Sequence, residues 1–100
     1  MQNLNTQNAQ NAHAQQVQFT LGAMLINIAF VYNNIYACWD AHVANVVDGD
    51  GNDEWDANAF NKLVLSKFVS YNANATAQHL AQQLTTLVQH AEPGLHFEMY

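Results

Sequence analysis

One hundred residues, half of them hydrophobic, allow one domain with a single modest core, and a lone cysteine excludes an intramolecular disulfide framework. The chain has no arginine, two lysines (Lys62 and Lys67), eight acidic residues and a net charge of −6. That inventory argues against direct nucleic-acid binding and against attraction to an anionic membrane, because both need several cations to neutralise phosphates. It favours a basic partner, a metal cation or an apolar groove.

Residues 1–16 are polar and of low complexity, built from Gln, Asn and Ala with one His. Such a segment buries too little to offset its ordering entropy unless it continues a following helix, which Asn5 or Thr6 would cap. It carries neither the positive charge nor the early apolar run of a secretory or transit peptide, so the cytoplasm is the expected compartment. Residues 17–100 are expected to form the domain.

The main apolar block runs from Val17 to Val47. Leu21, Met24, Leu25, Ile28, Tyr32, Ile35, Tyr36 and Trp39 recur at spacings of three and four, which predicts a broad helical face. The stretch 20–32 is too short for a membrane span, and Asn27, Asn33 and Asn34 interrupt or bound it, so a buried central helix is expected instead. A break near Asn33–Asn34 would divide it in two. After a turn-forming run at 48–56, a second amphipathic segment is predicted over 57–71, with Phe60, Leu63, Val64 and Phe68 on one face. A third helix is predicted over 75–91, capped by Asn74 or Thr76, with Leu80, Leu84, Leu87 and Val88 as its core stripe; Pro93–Gly94 stops it. The tail from Leu95 to Tyr100 alternates apolar and polar residues, which suits a short strand or an extended arm that needs a partner here or in another molecule. The fold class expected is therefore all-α: a bundle of three to five helices with one acidic helix–loop–helix turn and an extended C-terminal tail.

Chemistry concentrates in one place. Asp48, Asp50, Asp53, Glu54 and Asp56 put five of the eight acidic side chains within nine positions. Like charges this dense belong on a solvated loop or around a cation. Asp53, Glu54 and Asp56 also suit a helix N-terminus. The order Asp48-x-Asp50-Gly51-Asn52-x-Glu54-Trp55-Asp56 resembles the start of an EF-hand calcium loop. In that register Asp48, Asp50, Asn52, Glu54 and Asp56 are the candidate calcium ligands, Glu54 through its backbone carbonyl. Trp55 takes the apolar anchoring position, and Val43, Val46 and Val47 before the loop and Phe60, Leu63 and Val64 after it fit the flanking helices. Two positions depart from the pattern. Asp53 stands where the sharp turn wants glycine, at a cost of about 1 kcal/mol. Ala59 replaces the bidentate glutamate that closes the loop, which moves any calcium affinity toward the millimolar end.

Other groups carry less. His13, His42, His79, His90 and His96 never fall at i, i+4 spacing, and Asp40 and His42 cannot share a helix face to form a catalytic group with Cys38. Cys38 sits in an apolar stretch and reads as a buried, inert thiol. There is no glycine-rich phosphate loop and no nucleophile elbow. An enzyme is not expected, and no cofactor is implied beyond weak calcium.

The leading functional expectation is a non-enzymatic protein-binding module whose loop 48–56, through Asp48, Asp50, Asp53, Glu54, Trp55 and Asp56, occludes a basic, nucleic-acid-binding surface of its target. In size and charge the chain is similar to the small inhibitor proteins that phages and mobile elements direct against host defence, anti-CRISPR proteins among them. The alternatives are an EF-hand-like module that responds to or is stabilised by calcium, and a homo-oligomeric structural component. A homodimer is compatible with either binding function. Trp55 is read either as the anchor of the loop or as an exposed contact.

Overall fold

A computed structural model describes residues 14–49 and 55–100 of the chain. Gly22 and Ala23 reverse the chain between strand β1 (Ala14–Leu21) and strand β2 (Met24–Asn33), with Leu21 opposite Met24. Gly22 has φ 60°, a conformation that costs an L-residue about 1–2 kcal/mol and glycine little. A two-residue turn with glycine first matches the right-handed twist of the strands it joins. The second reversal uses Asn34 to Ala37. Asn33 Oδ1 accepts hydrogen bonds from the backbone N–H of Ile35 (2.9 Å) and Tyr36 (3.3 Å), and Ala37 takes φ 53° before strand β3 (Cys38–Asp48) begins.

Helix α1 (Ala57–Leu63), a 3-10 turn (Leu65–Lys67) and helix α2 (Ala77–Ala91) follow, and strand β4 (Phe97–Met99) returns to pair with β1. The sheet order is β3-β2-β1-β4, antiparallel throughout.

The molecule is thus a helix-backed antiparallel sheet, and the expected all-α helical bundle is overturned. The apolar block 17–47 is two hairpins, and a strand, not a helix, enters the acidic segment, so no helix–loop–helix turn is formed there. The physical reason lies in β2. Met24, Ile26, Ile28, Phe30 and Tyr32 alternate with residues of the opposite face, a period of two that packs a pleated surface, and β-branched and aromatic side chains favour it. The three- and four-residue spacings arose because Leu25 and Ala29, on the other face, are also apolar. Asn33–Asn34 does break the block, as a reverse turn between strands. The helical segment expected over 57–71 ends at Leu63, whereas Ala77–Ala91 falls within the span expected, with Thr76 as its cap: Thr76 Oγ1 accepts from the His79 N–H at 3.2 Å. No helix of the described residues is long and apolar enough to cross a membrane.

One face of the sheet carries the core. Phe19 and Leu21 from β1, Ile26, Ile28 and Phe30 from β2, and Trp39 and Ala41 from β3 meet Phe60, Val64 and Phe68 and the α2 stripe Leu80, Ala81, Leu84 and Val88. The outer edge of β3 is covered in its first half. Trp39 N–H donates to the Ser70 carbonyl (2.7 Å), Ser70 N–H returns a bond of 3.3 Å, and Asn61 Oδ1 accepts from the Val43 N–H at 3.1 Å. The buried Trp39 indole spends its N–H on the Asn72 carbonyl at 2.8 Å, as a buried indole must.

The other face is built of small and amide side chains. Gln18, Asn27 and Asn45 form one row across three strands, with Asn27 Nδ2 donating to Asn45 Oδ1 at 3.2 Å. Gln16, Ala29 and His42 form the next. The chain's abundant amides keep this surface wetted with little charge.

Removing the Phe60 ring should expose how much the two layers depend on each other. Phe60→Ala is expected to lower the unfolding free energy by about 3–5 kcal/mol, read as a shift of the urea midpoint.

Candidate interaction site

The strand register brings four chain segments to one end of the sheet: the Gly22–Ala23 turn, the end of β3 at Asp48, the approach to α1 through Trp55 and Asp56, and the link 92–96 between α2 and β4. Two register shifts in β3, which leave Ala44 and Val47 as extra residues against β2, increase its twist as it reaches this end. Asp48 finishes opposite Leu25 and is exposed.

Asp56 is the N-cap of α1. Its carboxylate Oδ1 accepts from the Ala59 N–H at 2.7 Å, a charge-assisted bond at the positive end of the helix. Trp55 is half-buried, packs against the core and presents an edge-on ring contact to Phe60 at 6.3 Å between centroids. Of the two roles considered for Trp55, the anchoring contact is therefore formed. Asp50, Asn52, Asp53 and Glu54 lie outside the described residues. The five candidate calcium ligands thus include two, Asp48 and Asp56, whose positions are known, and Asp56 already has a structural task.

Two acidic residues that the sequence does not link to the loop join this end. Glu92 follows α2 as its C-cap, its N–H donating to the Val88 carbonyl at 2.8 Å. Glu98 lies on β4 opposite Thr20, with Oε1 3.5 Å from His96 Nε2. Pro93 and Gly94 (φ 113°) turn the chain after Glu92, Leu95 N–H bonds the Glu92 carbonyl at 3.1 Å, and Gly22 N–H bonds the His96 carbonyl at 2.8 Å. Between these segments opens a cleft of about 480 Å³ lined by Leu21, Trp55, Glu92, Pro93, Leu95 and His96, together with Gly22 and Gly94.

Asp40 stands apart, opposite Val31 on the other half of β3. Lys62 and Lys67 lie on the helical layer at the end of α1 and in the 3-10 turn. Cys38 is buried, as expected, and Asp40 and His42 are exposed on the amide-rich face. The cleft was not legible beforehand: Pro93–Gly94 signals a helix stop, and nothing local says that the residues after it fold back beside Trp55.

At the opposite end of the sheet, the Trp39–Ser70 bridge sets Tyr71 beside the β2–β3 turn. Ile35, Tyr36 and Tyr71 are 85%, 71% and 73% exposed there.

No family model, curated protein or solved structure matches the chain.

The capping and charge roles of Asp56 separate by substitution. Asp56→Ala should cost about 1 kcal/mol in thermal or urea unfolding, and Asp56→Asn, which keeps a capping oxygen and removes the charge, should cost clearly less.

Proposed function

We infer that the protein is a non-enzymatic binding module that uses its acidic end to occupy a basic, nucleic-acid-binding surface of another protein, in the manner of a small inhibitor. The observation that carries this reading is the segregation of charge. Asp48, Asp56, Glu92 and Glu98 come to one end of the sheet, and Asp50, Asp53 and Glu54 lie between the first two in the sequence. The two lysines are held on the helical layer. A bunched anionic end suits a local plug for Lys and Arg side chains that otherwise hold phosphates. Attraction between such surfaces steers encounter and weakens with salt. The anti-defence, phage-type role belongs to this reading, as does a cytoplasmic setting in which the lone Cys38 stays reduced.

Binding to a basic partner is tested with an amide variant in which Asp48, Asp50, Asp53 and Asp56 become Asn and Glu54 becomes Gln. Pull-down from a bacterial lysate at low salt should yield a nucleic-acid-binding protein with the native chain and nothing with the variant. The native complex should weaken as ionic strength rises to about 0.15 M and be displaced by added duplex DNA or RNA. Equal capture by the amide variant, with its circular dichroism unchanged, would move the interface away from this end.

A second reading has its own observation. The exposed Ile35, Tyr36 and Tyr71 form an apolar tip of the kind that contributes to binding hot spots, which favours self-association as a homodimer or larger assembly. Sedimentation of the native chain against Tyr36→Ser should then show an assembly that the variant lacks; a monomer in both would end that reading.

A further inference from the structure

We propose that the cleft between Trp55 and Glu92 is a receptor for a single guanidinium side chain, so that an arginine of the protein partner docks there. This rests on the reading of the acidic end as a binding surface and gives that end a specific contact.

Two residues of the lining favour a cation, and the apolar residues beside them suit its stem. Glu92 is the C-cap of the fifteen-residue helix α2, beside carbonyls that carry partial negative charge. Among the described residues Glu92 has no ion-pair partner, and the lysines of the chain are placed elsewhere. A bound cation would relieve both the carboxylate and the helix end. The half-buried Trp55 lines the same cleft, and indole is the strongest of the aromatic rings for a cation. Of the remaining lining, Leu21, Pro93 and Leu95 are apolar and suit the methylene stem of a long basic side chain, while His96 adds a polar group beside them.

Arginine fits better than lysine. Its planar fork can pair with a carboxylate on two N–H groups while its flat face lies against an aromatic ring, and it gives up its hydration more readily than an ammonium. The volume, about 480 Å³, falls within the range of pre-formed ligand clefts and exceeds what one side chain requires, which leaves room for the neighbouring backbone of a peptide. A backbone hydrogen bond of 2.8 Å from Gly22 to His96 ties together two segments of the lining.

The test is a titration of the full chain with a blocked peptide, acetyl-Gly-Arg-Gly-amide, followed by the indole N–H signals of its two tryptophans in NMR. The Trp55 indole should shift and saturate. The Trp39 indole, committed to the Asn72 carbonyl, should stay in place and serves as an internal control for folding. The lysine peptide should bind more weakly, and the citrulline peptide, isosteric but neutral, should give no saturable shift. Glu92→Gln should weaken the arginine peptide about tenfold, the loss of one charge-assisted contact. Trp55→Leu should abolish the response, read on other cleft resonances.

Equal shifts with arginine and citrulline peptides, or no shift of Trp55 while the Trp39 signal reports a folded chain, would overturn the proposal. The two readings fail differently. If the amide variant of the loop loses its basic partner but Trp55 ignores the arginine peptide, the acidic end binds without this cleft. If Trp55 responds and the amide variant keeps its partner, the cleft stands and the acidic loop is not the recognition element.

Discussion

Phe97 is the piece on which the rest of the architecture closes. Its ring stacks on Phe19 at 4.7 Å between centroids and meets Phe60 at 5.4 Å, and Phe60 in turn meets Trp55 edge-on. These contacts join β1, β4, α1 and the end of the acidic segment, elements separated by most of the chain. The strand that delivers Phe97 is three residues long and could not persist alone. It is held because the pairing with β1 and the ring stack are made together. The cleft is a by-product of that closure: Leu21, Trp55 and Leu95 become neighbours only when Phe97 is in place. A cavity assembled from such distant segments belongs to the folded state alone, so whatever occupies it also stabilises the fold by mass action.

The same closure concentrates charge. A net charge of −6 on one hundred residues with two lysines could be spread evenly, and the amide rows on the open sheet face show how a surface stays wet with almost none. The fold instead brings Glu92 and Glu98 toward Asp48 and Asp56. Repulsion among them is tolerable because three of the four have a local reason to stay. Asp56 is bound to the start of α1, Glu98 lies beside His96, and Asp48 is exposed at the end of an edge strand. Glu92 alone has no such compensation, being placed against the unfavourable end of α2. A fold retains an uncompensated charge of this kind most readily where a function uses it, since a neutral residue would serve α2 better.

How much of this could be read beforehand depended on whether the signal was local. The helix at Ala77–Ala91 was legible because Leu80, Leu84, Leu87 and Val88 share one stripe, Thr76 caps it, and Pro93–Gly94 stops it. The C-terminal strand was legible from its alternation, and it found its partner in β1. The two hairpins were not read, although Gly22–Ala23 is the residue pattern of a tight hairpin turn and Met24, Ile26, Ile28, Phe30 and Tyr32 alternate without a gap. The apolar Leu25 and Ala29 on the second face filled in the three- and four-residue spacings and masked the shorter period. Tertiary pairing then decided between two patterns that the same residues satisfy. At the site, Asp48, Trp55 and Asp56 were legible because the acidic run is contiguous. Glu92, Leu95 and His96 were not, since their place depends on β4 returning beside β1, and no local feature near residue 92 names residue 55 as its neighbour.

In the proposed binding role, the charged rim and the cleft would divide the work of recognition along physical lines. Carboxylates in solvent act over about a Debye length, ~8 Å at physiological salt, and attract any basic surface without choosing among them. Their contribution appears in the association rate and in its dependence on ionic strength. A contact inside a shaped cleft acts only after encounter, at van der Waals and hydrogen-bond distance, and its contribution appears in the dissociation rate. Trp55 belongs to both parts, because it is continuous with the acidic run in the chain and forms a wall of the cleft in space. Its ring is held by Phe60, and Phe60 by Phe97, so the geometry of the selective contact is set by the same aromatic series that closes the fold. An acidic surface without such a fixed contact would bind basic proteins indiscriminately. On the proposed reading, a steering field joined to a shaped cleft at one end of a small sheet would let a chain of this size distinguish one basic target from many.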